Sequence, residues 1–212
     1  MTISNDSRAR IKKVFEPIAL GMGRLGLTPD GLTLIGFGIT AVGAVLLGAQ
    51  LWLVGGLVMF VGGVFDMFDG TLARATGKVS PLGAFMDSVF DRWGEAIVYL
   101  GIVVGGVRAG SDAVAILAAA ALGAAFMVSY TRAKSEGLGF TAGTGMAAIG
   151  IMPREVRLII LSLGLVVTGI AGSLLALEIA LGVIALGATI TVIQRILHVR
   201  SQATSAASTS IK

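Results

Sequence analysis

Six apolar runs, each about as long as a bilayer is thick, take up most of the chain: residues 30–48, 50–72, 82–106, 112–133, 154–172 and 174–197. Crossing the hydrocarbon core takes about 20 mostly apolar residues, and within it a helix is the open-chain structure that satisfies its own backbone amides. The expected fold class is therefore all-α, a six-transmembrane-helix membrane bundle. Of the 212 residues only 13% are charged, and mean hydropathy is +0.92, which excludes a water-soluble globule. With no Cys and one His the chain also lacks the ligands for a thiolate or histidine metal centre, so any metal work falls to carboxylates. The 31 glycines are about twice average usage. They fit helices that approach backbone to backbone, and such faces suit dimer contacts and internal packing equally well.

Orientation follows from the basic residues, which are retained on the cytoplasmic side. Arg8, Arg10, Lys12, Lys13 and Arg24 precede span one, and Arg74 and Lys78 follow span two. Arg132, Lys134, Arg154 and Arg157 flank the connection between spans four and five, and Arg195, Arg200 and Lys212 lie at the end, fourteen on one side. The other side has Arg108 alone, Arg92 being within a span. Both termini are therefore expected in the cytoplasm. Residues 1–28 lack an apolar core with a small-residue cleavage site, so no cleavable signal peptide is expected and span one directs insertion.

Three parts result: a cytoplasmic amphipathic juxtamembrane segment at 1–28, the transmembrane domain at 29–200, and a disordered polar tail at 201–212. In the first, Ile11, Val14, Phe15 and Ile18 recur at helical spacing among the cations, the pattern of an N-terminal amphipathic juxtamembrane helix lying in the interface. A positive-inside signal alone would give the same charges. Proline beside a hydroxyl or acid marks helix starts at Thr28-Pro29-Asp30, Ser80-Pro81 and Pro153, the last with Glu155 in its first turn.

Acids stand where acids are expensive. An ionised carboxylate in the apolar thickness costs at least about 2.5–3.5 kcal/mol on insertion scales, yet Asp66 and Asp69 end span two, and Asp87, Asp91 and Glu95 occupy the first half of span three. The i,i+3 and i,i+4 spacings put each Asp pair on one helix face. Only Arg74, Lys78 and Arg92 are near in sequence to balance them. Two divalent cations would balance four Asp charges, since Mg²⁺ takes oxygen ligands and keeps places for water or phosphate. The plain alternative is buried Asp–Arg pairs that hold the helices in register. Between the pairs, Gly70 and Ala73 remove bulk, Arg74 can grip a phosphate bidentately and Gly83 permits close approach. Together these positions describe a slot for a phosphorylated ligand beside a metal pair.

The run D-x2-D-G-x2-A-R-x8-G-x3-D-x3-D from Asp66 to Asp91 resembles the signature of the CDP-alcohol phosphotransferases, with no motif position missing. The resemblance implies a six-span enzyme that moves a phosphatidyl or related group from a CDP-linked donor to a hydroxyl, releasing CMP. It implies that Asp66, Asp69 and Asp87 ligate the metals, with Asp91 as ligand and general base. It also implies that Gly70, Ala73, Arg74 and Ser80 meet CDP-diacylglycerol, and a homodimer in the cell membrane with its active site facing the cytoplasm. Asp30, Gly31, Leu32 and Thr33 resemble the family's nucleotide-contacting opening of span one, where Asn often stands in place of Asp30. Mg²⁺ is the expected ion, with Mn²⁺ the other candidate. Membrane lipids surround the site, and nucleic acid is not an expected partner.

For the acceptor, Lys134, Arg154 and Arg195 can converge above the slot, and three cations suit a phosphate dianion rather than choline or serine. Inositol 1-phosphate and glycerol 3-phosphate both meet that chemistry. The runs Ser129–Gly139 and Pro153–Arg157 resemble the actinobacterial phosphatidylinositol phosphate synthases, which implies inositol 1-phosphate. Arg132 and Arg157 are expected at the surface. A cation transporter could also cluster acids, but these lie toward one face rather than the midplane, and transport gives no reason for the Gly70–Ala73–Arg74 slot.

Overall fold

The computed structural model describes residues 5–140 and 146–209, and among these it is helical with no strand. The helices are α1 (Asn5–Arg24), α2 (Pro29–Gly48), α3 (Trp52–Phe65), α4 (Met67–Ala75), α5 (Pro81–Arg108), α6 (Asp112–Gly137), α7 (Arg154–Ala171) and α8 (Leu175–Thr209). Asp66 keeps right-handed helical dihedrals, φ −56° and ψ −26°, so α3 and α4 continue into each other as the second apolar segment.

Four segments are long and apolar enough to cross a membrane: Pro29–Gly48, Trp52–Ala75, Asp112–Gly137 and Leu175–Thr204. The chain is thus a multi-pass membrane protein. Helices α5 and α7 fall where spans three and five are expected, with 28 and 18 residues. Their acids and arginines separate them from the other four, because the same helices carry the polar interior.

Packing joins α2 to α3, α3 to α7, α7 to α8, α8 to α6, α6 to α5 and α5 back to α2, so the long helices close a ring. Close approach across α2 needs glycine. A Cβ on Gly43 would stand 2.9 Å from the Met59 nitrogen of α3, and one on Gly101 of α5 would strike the Ala44 carbonyl of α2. At these two positions the small residues serve packing within the chain. On the outer faces Val45, Ile116, Ile170 and Leu186 are exposed, as lipid-facing residues are.

The helix starts read from proline hold at α2 and α5. Thr28 Oγ1 accepts from the Gly31 amide at 3.1 Å and Ser80 Oγ from the Gly83 amide at 3.0 Å, each followed by proline in the first turn. At α7 Pro153 is the cap itself rather than the first helical residue, and no side chain caps that end.

Helix α1 covers the segment expected to be amphipathic and packs on α4, in a cluster that also takes in Leu32 of α2. Phe15 lies 5.1 Å from Phe68 between ring centroids, and Ala19 is fully buried. Ile18, counted on the apolar face, is 46% exposed, and the side chains of Arg8, Arg10, Ile11, Lys12, Lys13 and Val14 lie outside the described ones. Of the tail expected to be disordered, residues 201–209 continue α8, because after Gly187 neither Gly nor Pro stops the helix and three alanines favour its continuation. Residues 210–212 lie outside the described residues.

Candidate active site

Three carboxylates meet where α3, α4 and α5 come together. Asp66 stands at the α3–α4 junction, Asp69 in the first turn of α4 and Asp87 in the second turn of α5, and one oxygen of each lies within 4.8 Å of the others. Asp69 is buried and held at both oxygens: Thr33 Oγ1 of α2 donates to Oδ2 at 2.5 Å, and the Gly70 amide donates to Oδ1. Charges so close repel strongly away from water. The donor set, hard carboxylate oxygens from three helices, fits a divalent cation that keeps positions for water or phosphate.

Asp91, one turn further along α5, faces a different partner. Arg154, the first residue of α7, places Nη1 2.6 Å from Asp91 Oδ1 and 3.1 Å from Asp66 Oδ2. It therefore straddles the edge of the acid group. Arg92 Nη1 lies 3.6 Å from the other Asp91 oxygen. An acid trio and an Asp–Arg contact thus sit side by side.

The residues expected to meet the CDP-lipid divide. Asp30 Oδ1 lies 3.8 Å from the Cβ position of Gly83, so the first turns of α2 and α5 adjoin. Two helix N-termini side by side favour phosphate groups through their dipoles, although the Gly31 and Gly83 amides are taken by the caps. Gly31 and Ser80 belong to the caps of these helices. Gly70 leaves room for Arg74, whose Nη1 would be 3.2 Å from a Cβ there, and Arg74 is exposed with Ala73 half-buried beside it. Leu32, in contrast, is fully buried in the cluster with Ala19, Phe68 and Leu72. Thr33 is buried on Asp69.

The three cations expected for the acceptor are likewise treated unequally. Arg154 reaches the acids, whereas Lys134 is exposed near the end of α6. Arg195 is 3% exposed, its Nε donating to the Ile149 carbonyl at 3.0 Å and its Nη1 to the Val128 carbonyl. Arg132 is exposed and pairs with Glu136.

Arg157 corrects the sequence reading. Expected at the surface, it is 2% exposed and grips Glu95 with two bonds, Nε to Oε1 and Nη2 to Oε2, both 2.8 Å. Its Nη1 donates to the Met152 carbonyl at 3.0 Å. The i,i+3 spacing from Arg154 puts both arginines on one face of α7, opposite the face of α5 that carries Asp87, Asp91 and Glu95. The i,i+3 repeat is in the sequence, but nothing in it says which helix that face meets. A groove of about 1000 Å³ also opens on the flank of α5 and α6, from Asp87 and Asp91 past Trp93, Leu100 and Phe126.

Comparison with known proteins adds four findings. Residues 26–191 match the family model described as CDP-alcohol phosphatidyltransferase. The chain is 36% identical over 196 residues to the archaetidylinositol phosphate synthase of Pyrococcus horikoshii, covering 92% of this chain and 95% of that protein. Its fold is similar to the crystal structure of Mycobacterium tuberculosis phosphatidylinositol phosphate synthase with CDP-DAG bound (TM-score 0.79, 30% identity, 88% of this chain and 94% of that chain). It is also similar to that enzyme in complex with manganese and citrate (TM-score 0.77, 30% identity, 87% and 88%).

Proposed function

Because the chain belongs to the CDP-alcohol phosphatidyltransferase family, we propose that it transfers a phosphatidyl group from CDP-diacylglycerol to inositol 1-phosphate, giving phosphatidylinositol phosphate and CMP. The observation that carries this reading is the trio Asp66, Asp69 and Asp87 within 4.8 Å, with Asp91 and Arg154 at its edge. The names of the relatives support the acceptor more strongly than the lipid: archaetidyl stands in one and phosphatidyl in another, while inositol phosphate is common to both.

Asp66, Asp69 and Asp87, with Asp91 on the α5 side, would hold two divalent cations, Mg²⁺ by preference. Those ions would supply positive charge to the donor diphosphate and to the departing CMP. The remaining work falls to the chain itself. Asp91 takes the proton from the acceptor hydroxyl, whose oxygen attacks the β-phosphorus in line with the CMP oxygen that leaves. Arg154, on the same carboxylate, holds the acceptor phosphate so that this hydroxyl faces Asp91, and Lys134 and Arg195 add positive charge around it. At the donor, the first turns of α2 and α5 with Asp30, Gly31 and Ser80 receive the nucleotide end, and Arg74, exposed beside Gly70 and Ala73, meets a phosphate. Leu32 and Thr33 act from beneath, Thr33 by orienting Asp69. The apolar groove beside Asp87 and Asp91 supports a donor that carries lipid chains.

The same reading takes the chain as a six-span homodimer in the cell membrane, both termini and the active site facing the cytoplasm. The basic residues near the acid end support that orientation.

The test is CMP release by purified protein given CDP-diacylglycerol and Mg²⁺ or Mn²⁺, with inositol 1-phosphate, free inositol or glycerol 3-phosphate in parallel, and EDTA as control. Release with inositol 1-phosphate alone is expected. Release with glycerol 3-phosphate alone would keep the chemistry and replace the acceptor. A parallel arm with CDP-archaeol reads the lipid preference.

A further inference from the structure

Helices α5 and α7 are not neighbours in the ring: α5 packs on α2 and α6, and α7 on α3 and α8. Between them the interior holds a cavity of about 60 Å³, lined from four helices by residues that include Thr40, Asp66, Glu95, Tyr99 and Arg157. Tight packing thus does not set the distance from the acids of α5 to the start of α7. Side chains bridge the gap instead, Arg154 to Asp91 and, one turn deeper, Arg157 to Glu95.

The start of α7 needs such a hold. No side chain caps it. The two residues before Pro153 are fixed from α8, where Thr191 Oγ1 accepts from the amides of Ile151 at 3.1 Å and Met152 at 3.0 Å. From inside the ring Arg157 takes the Met152 carbonyl with one nitrogen and Glu95 with the other two. A guanidinium with all three nitrogens committed is rigid in a way that a single ion pair is not.

We infer that Glu95 and Arg157 form a strut across the ring that positions Arg154 for the acceptor. Both are positioning residues: neither meets the acid trio directly, and both act through the placement of Arg154 on Asp91 and Asp66. The inference rests on the reading of Arg154 as a ligand of the acceptor phosphate. It adds that acceptor affinity is set one helical turn below the residue that makes the contact, by a pair that donor binding, at α2, α4 and the start of α5, does not use.

The experiment compares three variants in purified protein, with KM for inositol 1-phosphate and for CDP-diacylglycerol, kcat and thermal midpoint measured on each. Replacing the pair together, Glu95→Gln with Arg157→Met, leaves no buried charge unpaired and is the form most able to fold. It is expected to raise the acceptor KM at least about tenfold, the scale of one charge-assisted bond, with the donor KM within about twofold. Arg157→Lys keeps the charge but cannot hold both Glu95 oxygens and the Met152 carbonyl. It is expected to shift the acceptor KM in the same direction by a smaller factor, and it decides the matter if the double variant does not fold. Arg154→Gln is the reference. A raised acceptor KM in Arg154→Gln with unchanged values in the folded pair variants would overturn the strut alone. An unchanged value in Arg154→Gln would overturn the Arg154 assignment and the strut with it. Equal rises in donor and acceptor KM in the pair variants would mark the pair as general scaffolding and also overturn the inference.

Discussion

The two sides of the ring handle charge in opposite ways. Around α4 and α5, Asp66, Asp69 and Asp87 crowd within 4.8 Å, with Arg154 touching only the edge of the group. Around α7 and α8, arginines dominate and almost every one is neutralised or tied down: Arg157 on Glu95, Arg195 on two carbonyls. Crowded like charges store repulsion that a bound cation or a proton relieves, so the first side is built to accept something. Satisfied charges store little, so the second side is built to hold geometry. On the proposed function, the chemistry and the positioning of one reaction would fall to different helices, with Arg154, whose Nη1 reaches Asp91 and Asp66 from α7, between them.

Removing metal should break the first side completely. Dialysis against EDTA is expected to abolish CMP release, and Mn²⁺ or Mg²⁺ to restore it; undiminished release after chelation would mean that the acid trio has another purpose. Next in size is Asp91→Asn, which keeps the shape but gives up the charge, one acceptor oxygen and the ability to take a proton. A drop in turnover of about 10²–10⁴, the usual range for a lost general base, is expected in CMP-release kinetics. Turnover close to the unmutated enzyme would leave Asp91 as a mere partner of Arg154.

Predictions on the second side are smaller and appear in binding or stability. Arg154→Ala should raise the acceptor KM by about 10- to 100-fold, as expected when a charged group's hydrogen bonds are lost, with less change in donor KM. A larger effect on the donor would reverse the division drawn between the two sides. Thr191→Val removes the acceptor for the Ile151 and Met152 amides. It should cost about 1–3 kcal/mol of stability, the penalty for leaving a buried donor unpaired, read as a lower thermal midpoint in detergent. An unchanged midpoint would show that the segment before α7 is held by Arg157 and Arg195 alone.

What the sequence made legible follows the same division. The acids stood out because each is costly inside an apolar run, and the helix starts at Thr28 and Ser80 because proline beside a hydroxyl has few other uses. Arg157 did not stand out. A basic residue at the cytoplasmic end of a span is what insertion places there in any membrane protein, so the local pattern is the same whether it faces water or crosses the ring to Glu95. Telling these apart requires knowing that α7 stands across from α5, which sequence spacing does not encode. Thr33 is a related case: the run from Asp30 to Thr33 resembles a nucleotide contact, while the partner of the Thr33 hydroxyl, Asp69, lies 36 residues away. The end of α8 was missed for another reason, since a polar, alanine-rich tail is compatible with both coil and helix.

Lys134 tests the boundary between the two sides most finely. It shares the sign of Arg154 and Arg195 and is grouped with them for the acceptor, yet it is exposed where Arg195 is buried, so water and salt screen its field. An exposed charge pair is worth up to about 1 kcal/mol, so Lys134→Ala should raise the acceptor KM by no more than about fivefold. The rise should shrink as ionic strength increases, whereas the effect of Arg154→Ala, made at partly buried carboxylates, should persist in high salt. Titrating acceptor KM against NaCl in both variants separates the cases. If the Lys134→Ala effect matched that of Arg154→Ala and resisted salt, Lys134 would have to close over the acceptor during turnover, and the second side would not be the fixed frame that its satisfied arginines indicate.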